Sequence, residues 1–191
     1  DGSTPFDRVT LAARSGHSAR WAVGGEPSPL QAEMAAIQPS IALVHYGTND
    51  MGLGSTYMSA MHGFHEHMMQ LISELLETGV IPILTGISPR GDRASADLWV
   101  DAYNALIRGL AQIHSIPFID LKHATKDLDG FGLSGDGLHL NRFGDGACVL
   151  TEAGLDYGYN VRNLIVLEAL DRVRQARDEG VVWDERAARL L

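Results

Sequence analysis

Cysteine is nearly absent from this chain: Cys148 is the only one. A lone thiol excludes a disulfide framework within the chain and any zinc site built on cysteines. Long apolar runs are missing too. Nothing resembles the stretch of about 20 apolar residues that a membrane-spanning helix needs. Positive charge is scarce: 15 Lys and Arg stand against 24 Asp and Glu, for a formal net charge of −9. Phosphate binding needs a basic surface, so no nucleic-acid partner is expected. The basic residues near the C-terminus, Arg172, Arg174 and Arg177, alternate with Asp171, Asp178 and Glu179, as on a solvated helix face. The chain opens at Asp1 rather than Met, and the expectation is that its natural N-terminus, with any targeting signal, lies upstream.

What is present is ordinary globular composition, with 45% hydrophobic and 20% charged residues. The length suits a single domain over residues 1–191, with a loosely ordered charged tail over 178–191. No internal repeat or low-complexity segment occurs. The apolar run Val9 to Ala13, ending at Arg14-Ser15-Gly16, reads as a buried strand entering a tight turn. Leu30 to Ile37 reads as a short helix stopped by Pro39, and Ile41 to His45 as a second strand. Met61, Phe64, Met68, Leu71, Ile72, Leu75 and Leu76 recur at spacings of three and four, which predicts a helix over 56–77 closed by Gly79. Val80 to Leu84 is a third strand. A second amphipathic helix spans 96–114, with a stripe of Trp99, Tyr103, Leu106, Ile107, Leu110 and Ile113. Ile116 to Ile119 is a fourth strand. Residues 122–147, rich in Gly and Asp, form a long loop, and long loops in compact domains are usually functional. A last helix covers 162–177.

Strands alternating with helices predict an α/β domain with a parallel sheet, whose ligands bind at the carboxyl ends of the strands. Polar residues collect at those ends: Gly16 after the first strand, Gly47-Thr48-Asn49-Asp50 after the second, Asp120 after the fourth. A second polar block, Asp136-Gly137-Leu138-His139, lies in the long loop. A carboxylate near an imidazole fixes its tautomer and stabilises its protonated form, which makes His139 a candidate general base. Bland readings stand beside these. Asn49 suits a turn, Asp50 suits a helix N-cap, and Asp136 with His139 suits plain turn chemistry. Tyr46 suits a pocket wall or an interior position.

Gly16, the Gly47-Thr48-Asn49-Asp50 block and the Asp136-Gly137-Leu138-His139 block, in this order, resemble three of the four blocks of the SGNH hydrolases, also called GDSL-like esterases and lipases. The resemblance implies a flavodoxin-like three-layer α/β/α sandwich. It implies ester hydrolysis through a serine acyl-enzyme, with His139 as base, Asp136 orienting it, and the Asn49 amide and Gly16 N–H donating to the oxyanion. It implies a small-molecule ester substrate, read here as a small acyl or acetyl ester with lipid, sugar ester and thioester left open, and slightly favours a secreted or periplasmic location. No cofactor is implied, since acid–base and electrostatic chemistry suffices.

The family's first block, Gly-Asp-Ser after a strand, has no counterpart here. Asp1-Gly2-Ser3 has the residue types in the wrong order, and Ser3 is too close to Gly16 for an intervening helix. Ser15 and Ser18 flank the glycine and are poorly placed. Gly132-Leu133-Ser134-Gly135-Asp136 is the nearest approach to a nucleophile elbow and breaks at its fifth position. The nucleophile is thus unassigned, and the expectation is a serine on an upstream segment that also supplies the missing first strand of the sheet. The alternative is a non-catalytic relative that keeps a small-molecule or carbohydrate pocket without the nucleophile. His62, His65 and His67 do not form a metal motif. Residues two apart on a helix point about 200° apart. His65 reads as a core-edge histidine, and Met61, Met68 and Met69 as core filling.

Overall fold

The computed structural model describes residues 8–179. Ser3 and nearly all of the charged tail lie outside the described residues. The elements run α1 (Ala19–Ala22), α2 (Pro29–Ile37), β1 (Ile41–Val44), α3 (Tyr57–Glu77), β2 (Ile81–Thr85), α4 (Ala94–His114), β3 (Phe118–Ile119), α5 (Leu121–Ala124) and α6 (Gly158–Asp178). The strands form a sheet of order β1-β2-β3, with β2 and β3 parallel and Leu84 opposite Phe118. This is the mixed α/β arrangement, a parallel sheet surrounded by helices, that the alternation of patterns predicts.

The chain divides into two compact units, residues 1–42 with 46–81, and residues 43–45 with 82–191. In the first, α3 supplies the core through Phe64, Met68, Leu71, Ile72 and Leu75, all nearly inaccessible to solvent. Each such side chain contributes about 1.5–3 kcal/mol on burial. α3 packs against α1 and against the turn Asp50–Gly52. Its start is a reciprocal cap: Thr56 Oγ1 accepts from Ser59 N, and Ser59 Oγ accepts from Thr56 N, both at 3.1 Å. Its end is a Schellman turn, with Val80 N donating to Leu75 O at 2.9 Å and Gly79 N to Leu76 O at 3.0 Å. Gly79 has φ +77, the conformation the expected closing glycine must adopt.

Residues 9–13 are not a strand. Val9 is 86% and Leu11 48% exposed. The backbone donors there are taken by side chains instead of a ladder: Leu11 N by Glu33 at 2.8 Å and Ala12 N by Thr10 at 3.2 Å. Glu33, on α2, also grips Arg8 through two bonds of 2.5 and 3.0 Å, which draws its carboxyl down to about 2. Local apolar content does not make a strand without a pairing edge.

In the second unit α4 buries Ala96, Val100, Tyr103, Ile107, Leu110 and Ala111. Ile113, counted in the expected stripe, is 74% exposed; the buried position near that end is Ala111. α6 begins four residues before the position that periodicity marks. Its first N–H, from Gly158, is capped by Asn141 Oδ1 at 2.7 Å, 17 residues upstream. Only glycine fits at 158, because a Cβ there would lie 2.3 Å from Gly132 O. Asn163 fastens the same helix to the preceding loop by donating to Ala147 O at 2.9 Å.

Candidate active site

Two polar turns carry the residues the sequence singles out. In the first unit, Arg14 to Gly16 turns back so that His17 N donates to Arg14 O at 3.2 Å. Gly16, third in that turn, has φ +75, close to what a type II turn requires. It is exposed, with nothing within 4 Å of the place a Cβ would take, so its backbone is open to an approaching ligand. Asn49 Nδ2 donates to His17 O at 2.9 Å. One amide hydrogen is thereby used and the other remains, since a carboxamide carries two. Asn49 is thus joined to the residue that follows Gly16. The His17 and Trp21 rings meet edge to face, 4.5 Å between centroids.

Asp50 does more than cap a helix. It is the first residue of the short turn Asp50–Gly52, only 2% exposed, and its carboxylate accepts from Ala19 N at 3.0 and 3.2 Å and from Gly47 N at 3.1 Å. Desolvation raises its pKa, against the pull of those backbone donors. Tyr46 is fixed beside it by donating its hydroxyl to Ala12 O, and burial, helped by the Asp50 charge, pushes the phenol up to about 12. These bonds hold Gly47 to Asp50 and residues 12 to 19 as one rigid piece.

In the second unit the 133–140 segment closes as a small hairpin. Leu133 bridges Leu140, Ser134 N donates to His139 O at 2.7 Å, and Gly137 N to Ser134 O at 2.9 Å. The residues directly after His139 are not helical. Gly137 has φ +67, and a Cβ there would lie 2.7 Å from the Gly91 carbonyl carbon, so glycine alone fits the turn. The turn brings Asp136 and His139 together: Asp136 Oδ2 lies 2.7 Å from His139 Nδ1. Asp136 Oδ1 accepts from Ser134 Oγ at 2.7 Å, Leu138 N at 2.9 Å and His139 N at 3.0 Å. The His139 contact first, then the Leu138 amide and the Ser134 hydroxyl, hold the Asp136 carboxyl far below the usual carboxylate range. An ionised carboxylate only accepts, so Nδ1 carries the proton and the neutral ring presents Nε2 as a base.

Ser134, which enters the sequence reading only as the centre of a broken elbow, is thus a support of Asp136. The Ser-x-Asp spacing carries that signal, but it is common in turns. His45, at the end of β1, was not marked by sequence either. Burial, aided by the Arg162 charge, lowers its pKa to about 4, so it is neutral near pH 7. Among the described residues no group of three or more His, Cys, Asp or Glu is placed to hold a metal ion. His62 Nδ1 lies 3.7 Å from Glu66 on an exposed face of α3. No helix among the described residues is long and apolar enough to cross a membrane.

The sequence and fold now have a family. The model of the GDSL-like lipase/acylhydrolase family matches residues 3–147, and the chain belongs to that family, which makes it a hydrolase of the SGNH type. Its fold is similar to that of a GDSL-like lipase from Bacteroides thetaiotaomicron VPI-5482, with TM-score 0.62 and 16% identity, over 83% of this chain and 73% of that one. A proposed acylhydrolase from Bacteroides fragilis NCTC 9343 is similar with TM-score 0.56 and 17% identity, over 83% of this chain and 72% of that one. None of the curated proteins matches the chain.

Proposed function

We propose that this protein is a serine-dependent carboxylic ester hydrolase that works through an acyl-enzyme. The observation that supports the reading is the 2.7 Å contact between Asp136 and His139 Nδ1, which in the neutral ring places the proton on Nδ1 and keeps Nε2 for the base. In the first step Nε2 takes the proton of a serine hydroxyl as the oxygen attacks the ester carbonyl. Asp136 stabilises the imidazolium that forms. The free amide hydrogen of Asn49 and the Gly16 N–H donate to the oxyanion. The imidazolium then gives its proton to the leaving alcohol. Water, deprotonated by the same Nε2, attacks the acyl carbonyl, and the imidazolium returns that proton to the serine oxygen as the acid leaves. No metal or cofactor is required by these steps. A small acyl or acetyl ester is the substrate class proposed.

Hydrolysis of p-nitrophenyl acetate by the native protein and by His139→Ala and Asn49→Ala tests the assignment. His139→Ala is expected to lower kcat by about 10³-fold. Asn49→Ala is expected to lower it by about 10²-fold with KM little changed. Equal rates in native protein and His139→Ala would show that the imidazole is not the base.

A further inference from the structure

Both lysines of the chain, Lys122 and Lys126, line one cavity of about 430 Å³ in the second unit. Its walls come from α4 and from the segment after β3, and neither Asp136 nor His139 borders it. Most of its charge is already matched. Lys122 Nζ donates to Asp101 at 2.6 Å, and Arg108 donates to Asp120. The Lys126 ammonium has no hydrogen bond or ion pair among the described residues. Leaving histidine out of the formal count, three cations (Arg108, Lys122, Lys126) less two carboxylates (Asp101, Asp120) leave one positive charge on the wall, in a chain of formal net charge −9.

The second observation is Phe131. It lines the same cavity, is 40% exposed, and has φ +58. A residue with a Cβ is strained in the left-handed region, and burial of the ring in a core does not offset that strain here. An aromatic ring and an unmatched ammonium thus line one cavity.

We propose that this cavity binds a small organic carboxylate with an aromatic or apolar body. The carboxylate accepts from Lys126 and from the unused N–H groups of Lys122, and the body lies on Phe131. A single negative charge matches the single unmatched positive one. A doubly charged phosphate meets added repulsion from Asp101 and Asp120.

Titration of the full protein with benzoate, followed by calorimetry and amide chemical shifts, tests this. Benzamide serves as the neutral isostere and inorganic phosphate as a third arm. Benzoate is expected to bind about tenfold tighter than benzamide, with affinity falling as salt rises. Lys126→Gln is expected to weaken benzoate about tenfold and leave benzamide unchanged. Phe131→Gly is expected to weaken both while raising thermal stability, because it releases the strain. The proposal is overturned if benzoate does not bind, if it binds no tighter than benzamide, if both variants bind like the native protein, or if phosphate binds as tightly. Binding is read without turnover, so the result is separate from the fate of the esterase assignment.

Discussion

Asp50 and Asp136 are two aspartates in two turns, each accepting several donors, and their acidities move in opposite directions. Asp50 is 2% exposed and receives only backbone N–H groups. Asp136 has a side chain 52% exposed and receives two backbone N–H groups, a hydroxyl and the imidazole of His139. Desolvation wins at Asp50 and raises its pKa; donors win at Asp136 and lower it. The number of hydrogen bonds does not separate a carboxylate that holds a turn together from one that serves chemistry. Solvent access and a titratable partner do.

Asparagine at each site breaks the comparison most sharply. Asp136→Asn offers Nδ1 an amide that no longer fixes the tautomer, and is expected to lower kcat for p-nitrophenyl acetate by about 10³–10⁴-fold while costing less stability than Asp50→Asn, since its carboxylate is solvated. Asp50→Asn turns an amide NH₂ toward the Ala19 and Gly47 donors. It is expected to cost about 2 kcal/mol in urea unfolding, because buried donors lose their acceptor. A loss of stability at Asp136→Asn with none at Asp50→Asn would reverse the roles.

A carboxyl-carbon NMR titration sharpens it further. Asp50 is expected to titrate above, and Asp136 below, the ordinary value of about 3.9. The linkage follows with opposite signs. The Asp136 contribution to stability is complete above about pH 3.9 and is lost as pH falls through its depressed folded value. Asp50 binds its proton more tightly when folded, so its contribution is present at low pH and is lost as pH rises through its raised value. The smallest effect is expected at Ser134→Ala, a few-fold loss of kcat, since it removes one of four donors to Asp136.

Much of this was legible in the sequence because its causes are local. The stripe from Phe64 to Leu75, Gly79 after α3, and the Asp136–His139 spacing each state their geometry within a turn or two of chain. The misses have distant causes. Residues 9–13 look like a strand, but their donors go to Glu33 and Thr10. α6 starts at Gly158 because Asn141, far upstream, caps it. Asp50 reads as a helix cap because its grip on Ala19 crosses 31 positions. The Arg108–Asp120 and Lys122–Asp101 pairs, which leave Lys126 unmatched, likewise join elements that no local pattern links.

The central claim is that His139, oriented by Asp136, generates a serine nucleophile. Labelling of the protein with a fluorophosphonate, read by intact mass and peptide mapping, tests it most directly. The account predicts one phosphonyl group on one serine, with labelling abolished in His139→Ala. No labelling of the native protein, or equal labelling in His139→Ala, would contradict it.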